Sequence, residues 1–485
     1  MVTAEGTFSK QAGLPPLPVP TIEETAERYL RSACVLLSPA ELEKTKKAVE
    51  EFRTSNHVAL VQKALLEKAK GSRNWHPDRN VQILRAADAA HHMMRFWERI
   101  RREQVPITKS RGAVWDMYQY HGSCPTHLAV ICRGNVWKLE MMVDGELRSP
   151  DDLVRVLGHI QRESAYVALS PITLTTWDRD SWARAREALI TTSAANRASI
   201  QTIEESVFVL ALSDDVVSEE TELIRHSIMG RSDYAWSDKC MNVIVMGDSQ
   251  ITTQADHSNL DAIVILDAGN QMGEFVRKEI WTPQPTTSTD LPELLQFDLT
   301  PELVDAIEKA EMDFKKLSNS IRARVIRFRD YGNDRLRKAK LYSDTIVQLA
   351  LQIAFARVHG SFGPIYETAS TRKFFHGRTE TVRGLTHEMK AFGDAVLRNR
   401  PISEQLPLFK AAFLGYRENA AYGMVCAMRD DGYGTFYSTH PTNIQITATD
   451  YVGTKSDLDA YGREIVWALR HLGDIISQFE NGAKL

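Results

Sequence analysis

Two short apolar runs, Met241-Asn-Val-Ile-Val-Met246 and Ala262-Ile-Val-Ile-Leu266, read as buried strands, being rich in Val and Ile and too short for core helices. Between them lies Gln254-Ala-Asp-His257-Ser-Asn-Leu-Asp261, a histidine with an aspartate four residues on. A histidine on a connection between two such strands is carried by a rigid scaffold that can present it to a cavity. A neutral imidazole titrates near neutral pH, so it can take a proton from a hydroxyl and return it to a leaving group. An ordinary hydrogen-bonded surface histidine, one of fourteen, also fits this stretch taken alone.

Strand and helix patterns alternate around it. Residues 126–131 and 136–142 flank Arg133-Gly-Asn, a hairpin signal, and 207–212 adds another strand. Helical patterns cover 81–102, 149–162 and 181–191. The alternation predicts an α/β or α+β domain around a mixed sheet. Upstream, helices are expected from Thr21 (with Thr25, Tyr29 and Leu30), at the capping box Ser38-Pro-Ala-Glu41, and over 56–70. Downstream, the polar stretch 282–289 reads as a loop. A helix capped at Thr300 follows, with Leu303, Ile307, Ala310, Phe314, Leu317 and Ile321 as its apolar stripe. Ser343-Asp344 opens another helix, and 365–370, 434–438 and 443–450 read as strands. The last helix starts at Ser456 and buries Leu458, Tyr461, Ile465, Leu472, Ile476 and Phe479.

Several function classes are disfavoured. A net charge of −4 leaves no basic excess, which argues against nucleic acid as a partner. No apolar run is long enough to span a bilayer. The N-terminus lacks the apolar region of a secretory signal, and it lacks Arg and carries Glu5, unlike a transit peptide. Five cysteines without a CxxC pair suggest reduced thiols and no zinc site.

Two further clusters carry chemistry. Arg335-Leu-Arg-Lys-Ala-Lys340 can neutralise phosphates, although a solvated basic face fits it as well. Tyr366, Thr368, Ser370 and Thr379, with Arg378 and Arg383, concentrate hydroxyls and guanidiniums suited to a small carboxylate, although ordinary turn and strand residues fit equally.

The run Tyr366-Glu-Thr-Ala-Ser370-Thr-Arg-Lys-Phe-Phe-His-Gly-Arg378-Thr379-Glu-Thr381-Val-Arg383 resembles the long signature of the carnitine/choline acyltransferase family. Leu14-Pro-Pro-Leu-Pro-Val-Pro20 with Thr25, Tyr29 and Leu30 is similar to its opening motif. His257-Ser-Asn-Leu-Asp261 is similar to its catalytic segment, Lys340-Leu-Tyr-Ser-Asp344 to its coenzyme A segment, and Asp431-Gly-Tyr-Gly434 to a late motif. Thr379 and Thr381 look like the carnitine branch of the family.

The resemblance implies reversible transfer of a short acyl group between coenzyme A and the carnitine hydroxyl. It implies His257 as general base, Asp261 beside it paired with Arg378, and Tyr366, Thr368 and Thr379 on the carnitine carboxylate. Lys338, Lys340, Asp344 and Ser370 would line the coenzyme A path. Acyl-CoA and carnitine are then the substrates, coenzyme A is a co-substrate, and no cofactor or metal is permanently bound. The implied fold is α/β, with two similar coenzyme A-dependent acyltransferase-type domains, each a mixed sheet flanked by helices, and an active-site tunnel between them. One domain would span 72–296, and the other 14–71 plus 297–485. A monomer is expected from the family.

One interval departs from the family pattern. Only Ala420-Ala-Tyr-Gly-Met-Val-Cys-Ala-Met-Arg-Asp430 separates Tyr416-Arg-Glu-Asn419 from Asp431, where the family carries a longer stretch with a Ser-Thr-Ser strand that stabilises the oxyanion. Loss of such a donor costs about a hundred- to a thousandfold in rate. Two alternatives therefore stand beside the enzyme: an impaired member that binds coenzyme A or a partner, and an acyltransferase with another acceptor. Ala483-Lys484-Leu485 resembles a peroxisomal address, with mitochondrion or cytosol as the alternatives.

Overall fold

The computed structural model describes residues 22–53, 82–101, 125–166, 169–257, 284–286, 288–370, 379–416, 427 and 429–480. The chain begins with α1 (Ile22–Ala33) and α2 (Pro39–Arg53). Ser38 and Glu41 close the expected capping box: the Ser38 amide donates to Glu41 Oε2 at 2.9 Å and the Glu41 amide to Ser38 Oγ at 3.4 Å. The helix expected over 56–70 and the strand expected at 262–266 lie outside the described residues.

The described chain forms two compact units. α3 (Gln82–Arg101) and residues 125–321 belong to the first, and α1, α2 and residues 322–480 to the second.

In the first unit, β1 (His127–Cys132) turns back antiparallel into β2 (Asn135–Glu140). The two-residue turn has both Arg133 and Gly134 at positive φ, the form that matches strand twist. β3 (Met142–Val143) and β4 (Glu146–Leu147) make a separate small hairpin. α4 (Pro150–Glu163), capped by Ser149, and α5 (Arg179–Thr192), capped by Asp178, flank a 3-10 turn, Pro171–Thr176. α6 (Ala194–Glu205), β5 (Val209–Leu212), α7 (Glu220–Met229), β6 (Asn242–Val245) and β7 (Ile251–Gln254) follow. β8 (Glu293–Leu294) and α8 (Pro301–Ser320) complete the unit.

Its sheet runs β7-β6-β5-β1-β2-β8, with β1, β5 and β6 parallel and the outer pairings antiparallel. Alternation along β1 shows why it is central. Leu128, Val130 and Cys132 pack with Ala86, Met94 and Leu153 of α3 and α4. Ala129 and Ile131 pack with Trp182, Ile200 and Leu303 of α5, α6 and α8. Helices therefore cover both faces of a mixed sheet, as an α/β chain requires. The α8 stripe holds at Leu303, Ile307 and Ala310 but not at Leu317, which is 45% exposed, and Ile321 already belongs to the next strand.

In the second unit, β9 (Ile321–Phe328), β12 (Gly434–Thr439) and β13 (Ile444–Tyr451) form a sheet in the order β12-β13-β9. A separate ribbon pairs β10 (Tyr366–Ser370) with β11 (Thr379–Arg383). The helices are α9 (Asn333–Lys338), α10 (Ser343–His359), α11 (His387–Leu397), α12 (Ile402–Tyr416) and α13 (Leu458–Glu480). α10 is buried almost all round, so it reads as a core helix. It packs with Phe392, Phe409 and the expected α13 stripe of Leu458, Tyr461, Ile465, Leu472, Ile476 and Phe479. Among the described residues no helix is long and apolar enough to cross a membrane.

Candidate active site

His257 is exposed and stands at a turn just beyond β7. The sequence placed it on a link between 241–246 and 262–266, but β7 intervenes and pairs antiparallel with β6. Its residues Ile251-Thr-Thr-Gln254 carry too little apolar signal to be read as a strand, and backbone pairing to β6 makes them one. The histidine therefore follows the far strand of a hairpin, the outermost on that side among the described strands. Asp261 and Arg378 lie outside the described residues.

The ribbon of the second unit brings the hydroxyl-bearing positions together. A strand has period two, so Tyr366, Thr368 and Ser370 fall at alternate positions of β10. Their cross-strand partners are Arg383, Thr381 and Thr379, in that order. Tyr366, Thr379, Thr381 and Arg383 are exposed, as is Glu380 at an opposite-face position. The opposite face carries Glu367 and Val382, both buried.

The basic segment divides into two kinds of residue. Lys338 ends α9 exposed, and Lys340 is exposed with φ +59°, a left-handed conformation that a non-glycine residue adopts at a cost. Arg335 is tied down: its guanidinium donates to both carboxylate oxygens of Glu480 at 3.0 and 2.9 Å and to Ser477 Oγ at 2.9 Å. It is thereby engaged as a structural clamp on α13. Its pairing also holds the Glu480 carboxyl below the usual range.

Asp344 sits in the first turn of α10 but is buried, at 8% exposure. The Tyr437 hydroxyl of β12 lies 2.5 Å from its Oδ1 and 2.7 Å from Glu367 Oε1, and Gln348 Nε2 donates to the same hydroxyl at 3.1 Å. Burial raises the Asp344 carboxyl above its ordinary range, while hydrogen bonds from Tyr437 and Glu367 pull it down. Sequence reasoning missed Glu367, Tyr437 and Gln348. The signal for Glu367 was its place between Tyr366 and Thr368, where alternation turns it inward. Nothing local marks Tyr437.

Among the described residues no group of His, Cys, Asp and Glu is arranged to hold a metal ion. A family model described as choline/carnitine O-acyltransferase matches residues 17–80 and 76–424 of this chain. The chain is 30% identical over 452 residues to the peroxisomal carnitine O-octanoyltransferase of Rattus norvegicus, covering 79% of this chain and 74% of that protein. It is 29% identical over 454 residues to the Homo sapiens protein of the same name, covering 80% and 74%. It is 26% identical over 494 residues to the carnitine O-acetyltransferase of Mus musculus, covering 87% and 79%.

Proposed function

The chain belongs to the choline/carnitine O-acyltransferase family, and on that footing we propose that it transfers an acyl group reversibly between coenzyme A and the hydroxyl of carnitine, with His257 as general base. His257 takes the hydroxyl proton of carnitine as the oxygen attacks the thioester carbonyl. The tetrahedral intermediate then expels the coenzyme A thiolate, which takes the proton back from the imidazolium, leaving acylcarnitine and the free thiol. Asp261 and Arg378 hold the histidine segment. Tyr366, Thr368 and Thr379 take the carnitine carboxylate. Lys338, Lys340, Asp344 and Ser370 serve the coenzyme A side.

The observation that carries this reading is the β10–β11 register, which sets Tyr366, Thr368 and Ser370 opposite Arg383, Thr381 and Thr379. Hydroxyls beside a guanidinium suit a small carboxylate. In this proposal the acyl group is short and residence is peroxisomal, the latter supported by relatives named as peroxisomal. A second reading takes a medium-chain acyl group, favoured by 29–30% identity to octanoyltransferases against 26% to an acetyltransferase.

The test is thiol release from acetyl-CoA and from octanoyl-CoA, with and without carnitine, by wild type and His257→Ala. The reading expects carnitine-dependent release that falls about a hundred- to ten-thousandfold in the variant. Equal release by the two proteins sinks it, and coenzyme A binding without turnover would favour an impaired binding protein. The faster of the two thioesters decides chain length.

A further inference from the structure

We propose that Cys34 and His387 form a second reactive site, a thiol–imidazole pair at which Cys34 takes an acyl group from an acyl-CoA thioester. The choice of acyl donor rests on the acyl transfer inferred above, whereas the pair itself rests on geometry.

Two helix ends of the second unit meet there. Cys34 is the residue just past α1, its amide donating to Leu30 O at 2.9 Å. His387 is the first residue of α11, directly behind the Thr386 cap. His387 Nε2 stands 3.2 Å from Cys34 Sγ, across 353 residues of sequence. The thiol also reaches Arg31 O at 3.0 Å. A thiol has one proton. The carbonyl can hold that proton but not remove it, whereas an imidazole with a free Nε2 lone pair can. Cys34 is partly exposed and His387 is exposed, so an outside electrophile can reach the sulfur. Cys132 and Cys240 differ, since burial pushes both of their thiols up. The charged groups at the pair are Arg31, exposed in the last turn of α1, and Glu388 of α11, whose carboxyl feels both Arg31 and His387. An exposed guanidinium beside the thiol suits the phosphates of coenzyme A.

The step needs no oxidant. His387 Nε2 takes the thiol proton as Cys34 Sγ attacks the thioester carbonyl carbon. The tetrahedral intermediate expels the coenzyme A thiolate, and the imidazolium returns the proton to it. One carbon–sulfur bond forms and one breaks, leaving S-acylated Cys34 and the free coenzyme A thiol. Acylation thereby removes the thiol proton from the contact between α1 and α11.

The test incubates the full chain with acetyl-CoA in the absence of carnitine and follows each cysteine peptide by mass spectrometry. The Cys34 peptide should gain an acetyl group that neutral hydroxylamine removes, at least about tenfold faster than the Cys132 and Cys240 peptides. His387→Gln, a change at an exposed side chain, should slow this about tenfold near pH 7. The gap should close above about pH 9, where the thiol ionises without help. Equal rates in wild type and His387→Gln near pH 7 overturn the proposal, as does acetylation no faster at Cys34 than at the two buried thiols. Iodoacetamide probes the pair without acyl-CoA. Alkylation of Cys34 that depends on His387, with no acetylation from acetyl-CoA, overturns the choice of acyl donor and with it the proposal. Acetylation of Cys34 in a protein without carnitine-dependent thiol release overturns the function inferred above and upholds the second site.

Discussion

A Cβ placed on Gly332 would lie 2.4 Å from the carbonyl oxygen of His440, because the entry to α9 runs against the turn between β12 and β13. The same approach lets the Asn333 amide donate to His440 O at 2.8 Å and the Asp334 amide to Pro441 O at 3.0 Å. The first amides of α9 are thus already satisfied by the chain. Gly332→Ala must push backbone from backbone, and overpacking of this kind costs about 1–3 kcal/mol. Urea denaturation should show a loss of that size. An unchanged midpoint would mean that the turn yields freely.

Arg335 and Lys338 lie three residues apart and should fail differently. Arg335→Ala removes the clamp on Glu480 and Ser477 and should cost about 1–2 kcal/mol, discounted for its partial exposure. Its KM for acyl-CoA should stay near wild type. Lys338→Ala touches an exposed side chain, so its stability should hold while KM for acyl-CoA rises. The reverse pattern would move the coenzyme A contact from Lys338 to Arg335.

The contrast shows what the sequence could and could not reveal. Helices with caps, such as α8 behind Thr300, and alternating strands, such as β1 and β2, are local patterns and were legible. β9 was not, because the α8 stripe was carried on to Ile321, where Ile321-Arg-Ala-Arg-Val-Ile326 already alternates as a strand. Tyr366, Thr368, Ser370 and Thr379 were visible as a cluster because the ribbon joins neighbours in the chain. Tyr437 meets Asp344 and Glu367 across 93 and 70 residues, and no local spacing announces such a contact.

The strands β9 and β13 carry a second clamp, Arg322 on Asp450. Arg322 Nε donates to Asp450 Oδ1 at 2.8 Å, and the Asp450 side chain is 0% exposed. The pairing raises the Arg322 pKa above its ordinary value. Arg322→Ala leaves a buried carboxylate without its counter-charge, and with the Arg322 side chain itself 40% exposed and screened by solvent the loss should be about 1–3 kcal/mol in denaturant unfolding. Arg322→Lys restores the charge but not the forked geometry, so it should recover only part. Full recovery by lysine would reduce the pair to simple charge attraction.

Lys239 ties stability to pH in the first unit. Its buried ammonium donates to Ile203 O at 3.1 Å and Glu204 O at 2.7 Å, among the last carbonyls of α6. Burial pushes its pKa down to about 8, against the opposing pull of Cys240, Glu204 and Glu205. In the unfolded chain a lysine titrates near about 10.4. Between these values the unfolded chain holds a proton that the folded chain has released, so the residue's contribution to stability rises with pH across that window. The full change is on the order of 3 kcal/mol. Lys239→Met has no proton to lose. The stability of wild type relative to this variant should therefore improve by that amount between about pH 7.5 and about pH 10, read by urea denaturation at each pH. A difference that stays constant with pH would mean that the amine keeps its ordinary pKa in the folded protein.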